Sequence, residues 1–271
     1  MDNTYFTSEE IHLKNRAFLL GDAVKVSFFV RNSRLIMDEE CYFFLMASMR
    51  KMRMNIPLTY TLEFFQNLFN EKVIQERAVK NGIINFLVYR NNDGLTLSKS
   101  SISYFFEVSE LDDVLNLHAR SLELDVIKEI NVNNNLLSNI RVHCPENIYA
   151  GIYAQENDLD DVILLNPNKR VARSTFGNLL LLEGNIIKIP KHSEGAYISP
   201  LLENFVTFIH KNNLADIQEH EIIAFESQKA EEILLISDEK GVFSVGKIRN
   251  KAFEKNRFLE WVEGWKNSFS N

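Results

Sequence analysis

Tyr42, Leu45, Met46, Met49, Met52 and Arg53 recur at a spacing of three and four residues, so this stretch predicts an amphipathic helix from Asp38, its expected N-cap, to about Met54. Strand-like runs flank it. Residues 17–30 read as an apolar strand pair broken at Gly21-Asp22, and Asn32-Ser33 turns the chain into Leu35-Ile36. Pro57 closes the helix. Thr61 is placed to cap a second one, with Leu62, Phe65, Leu68, Phe69 and Val73 as its buried stripe. Strands at 83–90 and 102–108 follow, joined through Asn91-Asn92-Asp93-Gly94, residues suited to a turn with positive φ. A small α+β unit is therefore expected at the amino end.

The acidic, aromatic-poor run Ser109 to Asn116 reads as the approach to a linker. The division expected is a small α+β domain over 1–112, a linker over 113–119 and a larger α/β domain over 120–271. The second series begins with a strand at 122–130 and a short helix after Pro145, followed by a strand at 162–166 and a turn at Pro167-Asn168-Lys169. Strands at 178–182 and 186–189 lead to a helix at 200–211, where Pro200 suits the first turn. Strands at 221–225, 233–236 and 241–248 and a last helix at 251–265 complete the reading. There is no internal repeat.

Composition narrows the function classes. A net charge of -7, with basic residues scattered among acids, disfavours nucleic acid as a partner. The two cysteines, Cys41 and Cys144, are too few for a disulfide framework or a zinc cluster, and so favour a reducing compartment. The polar first residues and the lack of a roughly 20-residue apolar run point to a cytoplasmic protein that neither spans nor inserts into a membrane. His192, His210 and His220 lack metal-ligand spacing, so no metal is expected.

Two short stretches carry a more specific signal: Asn135-Leu136-Leu137-Ser138-Asn139-Ile140-Arg141, and Val171-Ala172-Arg173-Ser174-Thr175-Phe176-Gly177-Asn178. The first resembles the lysine loop of the class IV aminotransferases and aminodeoxychorismate lyases, and the second resembles the strand whose glutamate meets the cofactor ring. Asn15-Arg16-Ala17-Phe18 with Gly21-Asp22, the helix from Tyr42 to Pro57, the hairpin after Arg90, Gly184-Asn185 and the closing Ala230-Glu231-Glu232 with Gly241-Val242 are similar to the same family in the same order. The resemblance implies an α+β, two-domain subunit of the D-amino acid aminotransferase type (pyridoxal phosphate fold type IV). It also implies a homodimer, and pyridoxal phosphate is the family's cofactor.

Position by position, the resemblance also implies that the family's chemistry is missing. The lysine that forms the Schiff base corresponds to Arg141, and a guanidinium can neither form that bond nor act as a practical base. The carboxylate at the ring nitrogen corresponds to Arg173, whose charge opposes a pyridinium. The phosphate arginine falls at Phe44 and its histidine neighbour at Cys41. The glycine-isoleucine-threonine turn corresponds to Ser199-Pro200-Leu201, the closing threonine to Ile236, and an aromatic facing the cofactor to Lys25. Arg90 and Asn178 complete the set of degenerate pocket positions: Lys25, Phe44, Arg90, Arg141, Arg173, Asn178, Ser199 and Ile236.

Two functions remain open. One is a pseudoenzyme that needs no cofactor and serves as a small-anion-binding or scaffolding subunit, with Arg141, Arg173 and Lys25 as candidate cations. The other is an active pyridoxal phosphate-dependent class IV aminotransferase or aminodeoxychorismate lyase with an atypical site, using Lys25 as a relocated Schiff-base lysine. A structural alternative pairs Arg173 with Glu146 or Glu183 and fills the old cavity with Phe44 and Phe176. Cys144 beside His143 is a poor nucleophile, because adjacent residues point differently.

Overall fold

The structure, a computed structural model, describes residues 4–7, 15–91, 97–254 and 256–269. It divides into two compact units: residues 1–114 with 140–143, and residues 115–139 with 144–271.

The first unit is a five-stranded antiparallel sheet. Its strands are β1 (Thr4–Thr7), β2 (Ala23–Arg31), β3 (Arg34–Ile36), β4 (Gly82–Arg90) and β5 (Ile102–Glu110), in the order β1-β5-β4-β2-β3. The run before β2 is not the predicted strand but a short helix, α1 (Arg16–Leu20). Two local devices decide this. The Asn15 side chain accepts from the Ala17 amide at 2.7 Å, and Gly21, at φ 65°, closes the turn in the left-handed region.

Helix α2 (Asp38–Lys51) forms where the periodicity placed it, but Met37 is its N-cap and Asp38 lies inside the first turn, accepting from Gln66 at 2.6 Å. With Glu39 and Glu40, Asp38 complements the positive end of the helix. The buried face consists of Cys41, Phe44, Leu45, Met46, Ser48 and Met49, so Tyr42 lies to one side and Met52 beyond the helix end. Thr61 caps α3 (Leu62–Phe69) as expected, accepting from the Phe64 amide, and a π-helical turn over Asn70–Gln75 continues it. Phe65, Phe69 and Val73 are fully buried, and Phe28, Phe65, Phe69 and Phe86 pack ring on ring, with Phe28 and Phe69 4.8 Å apart. Of the turn predicted at Asn91-Asn92-Asp93-Gly94, all but Asn91 lies outside the described residues.

The second unit is a nine-stranded mixed sheet. Its strands are β6 (Leu122–Val126), β7 (Asp161–Leu165), β8 (Val171–Ser174), β9 (Asn178–Glu183), β10 (Ile186–Pro190), β11 (Asp216–His220), β12 (Glu232–Ser237), β13 (Gly241–Ile248) and β14 (Lys251–Ala252). The path is β11-β10-β9-β12-β13-β6-β7-β8, with β14 beside β13. Residues alternate faces along β7: Val162 and Leu164 join Ala150 and Ala154 of helix α4 (Pro145–Glu156), while Ile163 and Leu165 join Leu179, Leu181, Ile233 and Leu235. Helix α5 (Pro200–Lys211) buries Leu201, Leu202, Phe205 and Ile209, and Phe205 meets Trp265 of helix α6 (Arg257–Ser268) edge to face.

Three expectations in this unit are corrected, the first being the strand expected over 122–130, which ends at Val126. Residues 221–225 do not form a strand: β11 ends at His220, and the next turn is held by Ile222 accepting from the Val171 amide at 2.7 Å. The last helix starts at Arg257, because Lys251 and Ala252 pair back onto β13 and the Glu232 carboxylate receives the Asn256, Arg257 and Phe258 amides.

Candidate functional site

In the first unit, Lys25 lies in β2 and its amide donates to the Arg141 carbonyl at 2.9 Å. Two residues named from opposite ends of the sequence argument are thus joined through the backbone. Phe44 is 8% exposed on the buried face of α2. Arg90, at the end of β4, is buried and forms an ion pair with Asp22, which also receives Arg16 at 2.9 Å; the other Arg90 amino group donates to the Met52 carbonyl. Arg90 therefore ties β4 to the end of α2 and the start of β2.

The remaining positions lie in the second unit. Arg173 is 3% exposed in β8. Its guanidinium donates to the Gly195 carbonyl at 3.0 Å, the Asn147 side-chain oxygen at 3.3 Å and the Cys144 sulfur at 3.6 Å, and it stacks over the Tyr197 ring at 4.2 Å. Neither proposed acid partner reaches it: Glu183 pairs with Lys188, and Glu146 accepts from Cys144. Burial raises the Cys144 thiol pKa above its ordinary value, against the opposing influence of the Asn147 backbone and of Arg173, so the sulfur beside Arg173 is a neutral thiol. Asn178, also buried, holds Tyr197 by both backbone groups, donating to its carbonyl at 2.8 Å and accepting from its amide at 3.0 Å. Asn147 donates to the Tyr197 hydroxyl at 2.8 Å. Arg173, Asn147, Asn178 and Tyr197 thus form one connected polar cluster.

Ser199 is the N-cap of α5, accepting from the Leu202 amide at 3.1 Å. Its hydroxyl donates to Asp238 at 2.6 Å, and the same carboxylate oxygen accepts the Leu201 amide at 3.2 Å. A buried carboxylate of the chain itself therefore occupies the positive end of α5, where helix geometry favours an anion. Ile236 is fully buried in β12, its Cα paired with Asn178; the polar groups of this segment lie next to it, where Ser237 donates to the Phe176 carbonyl at 2.7 Å. Sequence reasoning missed Asp238, Asn147 and Tyr197. Each acquires its role from a partner 19 to 50 positions away, which no local pattern announces.

Asp161, at the start of β7, is a further buried acid. Its Oδ1 accepts from the Val162 amide and from the Thr175 amide and hydroxyl, while its Oδ2 has no partner. Desolvation raises its pKa, and the hydrogen bonds from Thr175 and Val162 offset this only in part. Among the described residues, no group of His, Cys, Asp and Glu is arranged to hold a metal ion, and no helix is long and apolar enough to cross a membrane.

Solved structures share the fold. The chain is similar to a Legionella pneumophila protein described as a 4-amino-4-deoxychorismate lyase, at TM-score 0.84 and 19% identity over 96% of each chain. It is similar to the branched-chain aminotransferase of Thermoproteus uzoniensis at TM-score 0.86 and 13% identity, covering 97% of this chain and 93% of that one. The branched-chain amino acid aminotransferase of Escherichia coli gives TM-score 0.82 and 13% identity, covering 96% of this chain and 88% of that one. No curated protein sequence matches. Residues 45–248, most of the chain, match the family described as amino-transferase class IV. The fold is the type IV aminotransferase fold, and the chain belongs to the class IV aminotransferase family.

Proposed function

We propose that this chain is a class IV aminotransferase-fold protein that no longer binds pyridoxal phosphate or transaminates, and that it serves as a small-anion-binding or scaffolding subunit. The observation that carries this reading is Arg173. The family resemblance puts a carboxylate there; here a buried guanidinium lies on Tyr197 and donates to Gly195 and Asn147, an environment opposed to a protonated pyridine ring. The start of α5 supports the same conclusion, because Asp238 would repel a phosphate from the Ser199 hydroxyl and Leu201 amide it already engages. Arg141 at the lysine position and the buried Phe44 add no group able to hold the cofactor. We further infer a homodimer in a reducing compartment, supported by the exposed apolar residues Ile148, Tyr149 and Ile152 on α4 and by two free cysteines.

The test is the visible spectrum with and without added pyridoxal phosphate, followed by borohydride reduction and peptide mass mapping. No absorbance change and no lysine adduct is the expected result. An adduct on Lys25, or on any single lysine, would overturn the reading and return the chain to the active enzymes.

A further inference from the structure

Three arginines among the described residues are buried, and two of them explain what the third lacks. Arg31 is 7% exposed and its Nε meets both oxygens of Asp113, at 2.9 and 3.0 Å. Arg90 is equally enclosed and forms an ion pair with Asp22. Arg173, at 3%, is the most enclosed of the three, yet its partners are a carbonyl, an amide oxygen, a thiol and a ring, all neutral. Its Nε–H has no acceptor; the Arg90 Nε–H has none either, but Arg90 keeps a carboxylate on its terminal nitrogen. Buried charges are ordinarily paired, because the loss of hydration otherwise goes uncompensated. This fold supplies carboxylates to two buried guanidiniums and none to the third.

The unused donor also has a direction. Nε and one terminal nitrogen form the edge of a guanidinium that receives two oxygens side by side. On Arg173 the NH1 end is engaged by the Gly195 carbonyl, whereas the NH2 group makes only the longer contacts, to Asn147 at 3.3 Å and Cys144 at 3.6 Å. Nε itself is enclosed, while Asn147 and Cys144, the two residues that meet NH2, are both half-buried. The competing anion position, at the start of α5, is already filled by Asp238.

We propose that the Nε and NH2 edge of Arg173 is the binding site for a small oxyanion, a carboxylate or a phosphate group. The two oxygens take Nε–H and NH2 together, displace the long contacts to Asn147 and Cys144, and supply the missing negative charge. This deepens the small-anion reading above and rests on it only in that no pyridoxal ring lies against Arg173.

The experiment is a thermal melt of the full chain titrated with acetate, malonate or inorganic phosphate, against sodium chloride at matched ionic strength. In the wild-type chain, one oxyanion class raises Tm saturably and chloride does not, because a ligand selective for the folded state stabilises it. The better of the carboxylate and phosphate arms names the class. Arg173→Gln abolishes the response. Arg173→Lys, which keeps the charge but loses the two-donor edge, weakens affinity by about tenfold or more, as expected for loss of a charge-assisted hydrogen bond. No saturable response in the wild type, or an undiminished one in Arg173→Lys or Arg173→Gln, would overturn the proposal. If Arg173→Gln does not fold, the wild-type and lysine titrations decide. Pyridoxal phosphate runs as a separate arm read by absorbance, so an adduct there rejects the functional reading while the oxyanion response is scored on its own.

Discussion

Asp238 accepts a 2.6 Å hydrogen bond from Ser199, the N-cap of α5, across 39 positions of sequence. The same oxygen takes the Leu201 amide, so one carboxylate anchors the start of the helix to the turn after β12. Asp238→Ala leaves a buried hydroxyl and amide without an acceptor and should cost about 2–3 kcal/mol. Ser199→Ala should cost about 1 kcal/mol, the usual loss for a cap. Asp238→Asn keeps an acceptor oxygen and should cost less than Asp238→Ala. Urea midpoints at constant m-value measure all three, and equal losses for the alanine and asparagine variants would count against the anchoring role.

Asp161 makes stability depend on pH in an unusual direction. Its folded pKa lies above the ordinary 3.8 because burial disfavours the charge. Its stabilising contribution is therefore complete below about 3.8, where both folded and unfolded chains are protonated, and is lost as pH rises through the folded value. Asp161→Asn keeps the Oδ1 acceptor without a titratable proton, so its stability relative to the wild type should climb with pH above that point. Chemical denaturation of both chains from pH 4 to pH 7 provides the check; a constant difference between them rules the effect out.

Arg90 and Asp22 form a buried pair, and removing one partner should cost more than removing both. Arg90→Met leaves Asp22 with only Arg16 and should lose about 3 kcal/mol. Adding Asp22→Asn should recover part of that loss. A double-mutant cycle in urea gives the coupling, and a double variant no more stable than Arg90→Met refutes it.

Gly177 lies where two backbones nearly touch. A Cβ there would come within 2.6 Å of the Ile236 carbonyl oxygen, which is held in the β12–β9 ladder and cannot move aside. Gly177→Ala should cost at least about 2 kcal/mol through overpacking and local distortion. A wild-type Tm in that variant would show that the segment yields more easily than its pairing suggests.

Much of the architecture was legible in the sequence because it depends on local chemistry. The start of α5 follows from Pro200 in the first turn, α3 follows from the Thr61 cap, and the apolar runs of β4 and β5 declare themselves as strands on either side of a turn-rich segment. The short run before Gly21 misled because a few apolar residues suit a strand or a helix equally; only the Asn15 and Gly21 caps separate the two. Likewise, the residues after His220 are apolar enough for a strand, but β11 is fixed by parallel pairing with β10, which sequence does not display.

The sequence alone determined the family resemblance and showed an arginine at both Arg141 and Arg173, since residue identity and order need no coordinates. Tertiary structure alone decided what those side chains meet. It denied Arg173 both acids proposed from sequence and placed it on Tyr197 with its Nε–H unused, and it brought Asp238 onto the start of α5. The physical reason is range. Caps, turns and periodicity act within a few residues, whereas the pairing of a buried charge depends on which distant strands and loops the packed core brings within hydrogen-bond reach.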